Sequence, residues 1–495
     1  MNAIYLMDGN IKESTDESLL ATAEIVRKSC KFDLYILPTA DKDVSVEPKT
    51  LLISAGNRLK NLIERIRSPG PSVADTLLDA GEWSHFVSLT FPSIDAALPA
   101  LPSLRIGADA FELRVDLLED ISVLSLHRQI ALLRDTCSLP IVFTVRSVGQ
   151  IGKFPPDPKK IFAFLEEGLR AGAEWIDVEA CWPSDQVSAF TALAKERYSS
   201  TSRLLGSLHI TTPQSREQVD QMYVDCSLDG CADVLKVVTG AATNADCELI
   251  HTSGSAVNGV KPYIGVCLGA AGARSRILNR RFTPVTHALM AVAAPGQLTV
   301  DQLMDARQSE GLCVPKQYFL FGTPIQQSLS PAMHNGAYAA LRLPHSYGLR
   351  EESAATDYIG LLQESSFGGA SVTIPHKETI IPLIDEVRGA AVSIGAVNTI
   401  VTEMSVGADG NAIRRLIGYN TDWLGIKRPL LRQLLARGGQ WSNDENSSSG
   451  NEKRLVGLVI GAGGTAKAAS YAVNDLGILQ LYSCRLKFAA APSVA

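Results

Sequence analysis

Apolar, β-rich runs recur at regular intervals from Trp83 onward, at residues 85–91, 110–117, 140–145, 175–180, 204–209, 233–238, 263–268 and 285–292. Stretches with helical periodicity, such as 122–135, 159–171 and 215–223, separate most of them. Eight strands alternating with helices over roughly 220 residues fit a closed (β/α)8 barrel. A doubly wound open sheet is the alternative for such alternation. The barrel is preferred because polar residues fall repeatedly at the same end of the strands, where a barrel places its active site.

Two of these strands set the chemistry. The run RLLGSLH delivers His209 and the run DVLKVVT delivers Lys236, each at or near the C-terminal end of a buried strand. A lysine flanked by Leu235, Val237 and Val238 keeps its charge only if it is paired. Unpaired, it loses its proton and becomes a nucleophilic amine. Taken singly, the lysine reads as a snorkelling side chain and the histidine as a satisfied core residue. Glu112 and Arg114 alternate with apolar residues on one strand, Arg146 ends the next, and Asp177 and Glu179 lie on the fourth. Arg276 follows the seventh strand, and Gln297 lies in APGQ after the eighth. Such carboxylates and guanidiniums can satisfy one another. Three arginines around one lysine would instead keep it neutral and bind an anionic substrate, a carboxylate being the natural choice.

The second half begins near Pro315. A short strand at 319–321 leads into GTPIQQSLSPAMHNGAYAAL, with Ser328 and Ser330 before a helix that starts near Pro331. Hydroxyls and free N–H groups there suit a carboxylate or polyol, or merely cap the helix. A strand at 370–374 ends in Pro375-His376-Lys377, Asn398 follows in GAVNTI, and Asn420, Thr421 and Asp422 lie in GYNTDWLG. Residues 438–453 are polar and of low complexity, a flexible linker. A buried strand at 455–460 then enters GAGGTAKAA, with Gly461, Gly463, Gly464 and Thr465 ahead of a helix at 466–476. A glycine loop so placed lets backbone N–H groups approach a pyrophosphate, although a tight turn alone also wants glycine.

A chain of 495 residues is too long for one core. We divide it into an N-terminal segment 1–82, a barrel 83–310, a substrate-binding α/β domain 316–437, the linker 438–453 and a truncated Rossmann unit 454–495. The first segment carries helical patterns at 17–28 and 58–67, a strand at 32–37 and the breaker run 68–72, too little for an independent core, and reads as the remnant of an upstream domain. A net charge of −6 argues against nucleic-acid binding and leaves small molecules as partners. The nine cysteines form no zinc pattern, so no metal is expected, and no leader or membrane-length apolar run is visible. A cytoplasmic location with reduced thiols is expected.

SHFVSLTFPS, ELRVD, FTVR, WIDVEA, LLGSLH, LKVV, SRILN and AAPGQLTV resemble the type I 3-dehydroquinate dehydratases over residues 83–305, particularly the version within the fungal pentafunctional shikimate-pathway (AROM) protein. The resemblance implies a Schiff base on Lys236 with 3-dehydroquinate, proton transfer by His209, and a carboxylate held by Arg276. Glu112, Arg114, Arg146 and Gln297 would line the pocket, with no cofactor. The blocks around Ser328, Lys377, Asn398 and Asp422 resemble the substrate domain of shikimate dehydrogenase. That likeness implies a Lys377–Asp422 catalytic dyad, substrate contacts from Ser328, Ser330, Thr373 and Asn398, and NADP(H) at Gly461, Gly463, Gly464 and Thr465.

Two departures bear on activity. Leu208 and Ile210 flank His209 where those dehydratases carry polar residues, which predicts weakened dehydration. The last stretch, LQLYSCRLKFAAAPSVA, lacks the family's 2′-phosphate motif, Arg485 receives no role, and loss of hydride transfer is expected. The preferred reading is a shikimate/quinate-pathway dehydratase with an impaired dehydrogenase-like module. The alternative is a quinate-pathway transcriptional repressor that senses quinate or shikimate. Expected partners are these cyclic hydroxy acids and a second copy of the chain, or, for a repressor, a transcription activator.

Overall fold

The computed structural model describes residues 4–7, 34–37, 83–257, 261–406, 412–436, 456–478 and 480–484. The helices expected at 17–28 and 58–67, the breaker run 68–72, the linker 438–453 and Arg485 lie outside the described residues. The chain divides into two compact units, Met1–Glu310 and Gly311–Ala495.

In the first unit, strands β1 (Ile4–Met7) and β2 (Leu34–Leu37) pair in parallel, with Ile4 opposite Leu34. Eight further strands form the barrel sheet: β3 (His85–Leu89), β4 (Ala110–Arg114), β5 (Ile141–Thr144), β6 (Trp175–Glu179), β7 (Arg203–His209), β8 (Val234–Gly240), β9 (Tyr263–Leu268) and β10 (Thr283–Val285). All of their pairings are parallel and run in chain order from β3 to β9, with β10 beside β3. The open seam falls between β9 and β10. There the Asn279 side chain stands in for ladder bonds, accepting from Gly265 N at 2.9 Å and donating to Thr283 Oγ1 at 2.9 Å and Arg281 O at 2.8 Å.

Alternation along each strand sorts the side chains into two layers. Phe86, Ala110, Val142, Trp175, Leu205, Val234, Ile264 and Phe282 fill the barrel interior toward the strand starts. One or two steps further along come Ser88, Glu112, Thr144, Asp177, Ser207 and Lys236, all buried and polar. The other strand faces pack on helices α1 (Val123–Thr136), α2 (Pro158–Arg170), α3 (Ser184–Tyr198), α4 (Arg216–Cys226), α5 (Asn244–Val257), α6 (Ala273–Leu278) and α7 (Val300–Ser309). Several of these helices start where the sequence supplies a cap. Ser122 accepts from Ser125 N, Asp157 precedes Pro158, and Ser215 with Gln218 and Thr299 with Gln302 close capping boxes.

The eighth strand differs from expectation. It spans Thr283–Val285, not 285–292, because the ladder to β3 is made by Thr283, Pro284 and Val285. Beyond it the apolar run is loop, with Leu289 and Val292 more than half exposed.

In the second unit, β11 (Gln317–Phe321), β12 (Ser346–Arg350), β13 (Phe367–Val372), β14 (Glu386–Val387), β15 (Thr399–Val406) and β16 (Ala412–Tyr419) form one mixed sheet in the order β12-β11-β13-β15-β16-β14. β15 runs antiparallel to both β13 and β16. Its core joins Phe319, Phe321, Tyr358, Phe367, Val372, Val397 and Ile400. Helices α8 (Ser330–Ala340) and α9 (Asp422–Ala436) follow β11 and β16. A separate parallel pair, β17 (Val456–Ile460) and β18 (Gln480–Cys484), is joined by α10 (Gly464–Asp475), one βαβ unit of Rossmann type.

Candidate functional site

The C-terminal ends of the barrel strands enclose a cavity lined by Ser88, Glu112, Arg114, Arg146, Gln150, His209, Lys236, Arg276 and Gln297, with apolar walls from Val238, Val266, Leu268 and Pro284. It thus gathers every residue expected for the barrel site. Lys236, only 5 % exposed, donates to Asp177 Oδ2 at 3.1 Å, lies 3.6 Å from Glu112 Oε1 and sits over the Phe86 ring. The lysine is therefore paired with two carboxylates, and the expectation that three arginines surround it and keep it neutral does not describe its contacts. Arg146 is instead bound to Asp177 Oδ2 at 2.5 Å, to Glu179 Oε1 at 3.2 Å and to Ser207 Oγ at 2.9 Å. Arg114 forms a bidentate pair with Asp116, both bonds 2.8 Å.

Each charge shift follows from these contacts. Burial pushes the Glu112 carboxyl up, but Lys236 and Arg114 outweigh it and hold it below the usual carboxylate range. Burial acts likewise on Asp177, and Arg146 with Lys236 overrides it. Burial, then the cations Arg146, Lys236 and Arg114, press His209 well below an ordinary imidazole, so it is neutral at neutral pH. Its backbone N–H donates to Gln150 Oε1 at 2.7 Å, while its Nδ1 has no hydrogen-bond partner. Arg276 is 1 % exposed and its Nε is likewise unpartnered, with one Nη1 contact at 3.3 Å to Pro284 O. Burial lowers its pKa to about 10. A buried guanidinium with an idle N–H suits an incoming anion. Gln297 Oε1 accepts from Ala293 N and Ala294 N at 3.0 and 3.2 Å, pinning the loop after β10.

In the second unit, Lys377 is 9 % exposed and donates to Asp422 Oδ2 at 2.6 Å. The pair is largely withdrawn from solvent and is not a surface salt bridge. Asn398 Nδ2 donates to the other carboxylate oxygen at 2.8 Å and to Thr421 Oγ1 at 2.9 Å, and Asn420 Oδ1 accepts from Asp422 N at 3.0 Å. Ser328 Oγ accepts from Ser330 N at 3.2 Å, but no side chain caps α8, whose N-cap is Leu329. Thr373 follows β13, the parallel neighbour of β11, so β11 and β13 bring Thr373 and the start of α8 to one sheet edge. Gly461 has φ +131°, a value that favours glycine, and Gly463, the N-cap of α10, has no side chain to occupy the helix's first N–H groups. The loop thus suits a phosphate.

Two contributors, Ser207 and Gln150, were not named from the sequence, and Asp177 was named there only as a carboxylate of the fourth strand. Gln150's signal was position, four residues past the strand-ending Arg146 on the face where barrel sites form.

The model for type I 3-dehydroquinase matches residues 85–312, and that for the shikimate dehydrogenase substrate binding domain matches residues 320–400. The pentafunctional AROM polypeptide of Mycosarcoma maydis is 36% identical over 486 residues, which are 93% of this chain and 27% of the relative. That of Schizosaccharomyces japonicus is 38% identical over 413 residues, 81% of this chain and 24% of the relative. The chain thus spans about a quarter of the length of these curated relatives. A solved structure, the dehydroquinate dehydratase and shikimate dehydrogenase from S. pombe AroM, is 34% identical with a TM-score of 0.65, covering 83% of this chain and 76% of that one. The chain accordingly belongs to the family of the AROM polypeptides, matching about a quarter of their length, and carries a type I 3-dehydroquinate dehydratase barrel followed by a shikimate dehydrogenase-like α/β unit.

Proposed function

We propose that the barrel dehydrates 3-dehydroquinate to 3-dehydroshikimate through a Schiff base on Lys236. The observation that carries this reading is one cavity holding a buried lysine, a neutral histidine and an arginine with an idle N–H. Arg276 binds the substrate carboxylate and sets the ring's orientation. Lys236 Nζ attacks the ketone carbon, and the proton it releases has acceptors at Asp177 and Glu112. Loss of water from the carbinolamine leaves an iminium, an electron sink for the adjacent C–H bond. His209, neutral and facing the cavity, takes that proton, and the electron pair flows into the iminium to give an enamine. The enamine expels the neighbouring hydroxyl, which leaves as water with the proton returned by His209. Hydrolysis frees the product and restores the amine.

The second unit, in the same proposal, binds a cyclic hydroxy acid of the shikimate or quinate type. Ser328, Ser330, Thr373 and Asn398 would contact its carboxylate and hydroxyls, and the Lys377–Asp422 pair would move the proton of the reacting hydroxyl. Gly461, Gly463, Gly464 and Thr465 would hold the phosphates of NADP(H), which when bound supplies the hydride acceptor. NADP reduction with shikimate measures the proposed dehydrogenase activity. A cytoplasmic setting is part of the proposal.

Borohydride trapping with 3-dehydroquinate, peptide mapping and an ultraviolet assay for the enone product test the barrel. The expected result is an adduct on Lys236 with turnover, and loss of both in Lys236→Met. A second reading, the metabolite-sensing repressor, draws on the apolar Leu208 and Ile210 and the unpartnered His209 Nδ1, which leave no polar neighbour in sequence to orient the ring. Ligand binding without any adduct would replace the enzyme reading by this one.

A further inference from the structure

Lys377 Nζ makes two hydrogen bonds: 2.6 Å to Asp422 Oδ2 and 3.1 Å to Thr465 Oγ1. The second partner comes from the glycine loop, not from the substrate-binding sheet. We infer that Thr465 is a positioning residue for Lys377, its hydroxyl fixing the ammonium against Asp422 so that the third N–H points to the substrate's reacting hydroxyl. The inference rests on the reading of this unit as a hydroxy-acid site.

The geometry supports it in three ways. A lysine ammonium on a four-carbon stem is free to swing, and a single partner fixes a distance but not a direction. Two acceptors on different elements, Asp422 at the start of α9 and Thr465 at the start of α10, fix both. Asp422 is itself held by Asn398 and Asn420, so the triangle has one rigid corner. The approach of the loop is also built in at Gly464, where a Cβ would come within 3.1 Å of the Lys377 and Ala396 Cβ atoms. Any larger residue there would require its neighbours to give by a few tenths of an ångström. A neighbouring ion pair, Lys467 with Glu378 at 2.6 Å, joins the same two segments, but it is nearly half exposed and adds little.

Because Thr465 accepts from the ammonium, its loss leaves Nζ held by Asp422 alone and freer to meet a reagent. Trace acetylation of the full-length chain, read lysine by lysine by peptide mass spectrometry, reports that freedom for Lys377 without needing turnover. Thr465→Val, which keeps the shape and removes the hydroxyl, is expected to speed labelling of Lys377 about 3- to 10-fold near neutral pH. Thr465→Ser is expected to restore the wild-type profile. Lys427, paired with Asp475 at 2.6 Å between α9 and α10, is the internal control and should label alike in all three proteins. An unchanged Lys377 profile in Thr465→Val overturns the inference. So does a change shared by Lys377 and Lys427 that serine does not rescue, since that reports undocked helices. Shikimate should protect Lys377 in the wild type. Failure of protection alone sinks the hydroxy-acid reading while the dependence on Thr465 stands.

Discussion

His209 meets three cations, Arg146, Lys236 and Arg114, in a setting that already disfavours charge, and the direction of its titration follows. Imidazolium formation is opposed, so the ring stays neutral well below pH 6.5. Following its Cε1–H resonance by NMR, assigned with His209→Gln, should show no midpoint between pH 8 and 6. A midpoint at 6.5, with about a quarter of the ring neutral at pH 6.0, would mean that the cations are screened. Residue identity was more legible than residue partnership. Lys236 and His209 stood out because an ionisable group in a buried strand or at its end has few explanations, and Arg276, on α6, through the resemblance carried by SRILN. That Lys236 faces Asp177 and not an arginine was not legible, since cross-strand neighbours depend on barrel register, and single-strand alternation does not report it.

Among the elements, strands β3 to β9 were readable as apolar runs with the right spacing, whereas β10 was misplaced. Its three ladder residues include Pro284, and the more hydrophobic run lies beyond it in the loop. Pairing, not hydropathy, decided its limits. The seam beside it depends on Asn279, fully buried and bonded on both sides. Asn279→Ala leaves the Gly265 N–H without an acceptor in a dry interior and is expected to cost about 2 kcal/mol. Chemical denaturation of the full chain should show it as a lowered midpoint. Asn279→Asp, which keeps the acceptor and loses the donor, should also destabilise, because a buried carboxylate there would face Arg281 O and Thr283 Oγ1.

At the scale of the whole chain, histidines with depressed pKa link stability to pH, among them His85, His209 and His251. His85 accepts from Arg307 Nη1 at 2.7 Å through Nε2, and burial followed by the Arg307 charge lowers its pKa to about 3. The unfolded chain takes up a proton near pH 6.5 and the folded chain does not. The resulting stability is full above pH 6.5 and drains away as pH falls toward 3, by an amount of the order of a few kcal/mol. His209 acts in the same direction. The melting temperature should therefore drop between pH 6.5 and 5, before the depressed carboxylates Glu112 and Asp177 titrate, and His85→Gln should flatten that slope. A flat wild-type profile would show that these histidines are not withheld from protons. The pairing of β10 with β3 also has a temporal side. Ser84 and Phe282, bonded across this junction, are 198 residues apart in the chain. At roughly 5–20 residues per second a ribosome needs on the order of 10–40 s between making the two. For that interval the edge of β3 is an open template inside the cell, and nascent-chain chaperones gain a defined window in which to guard it.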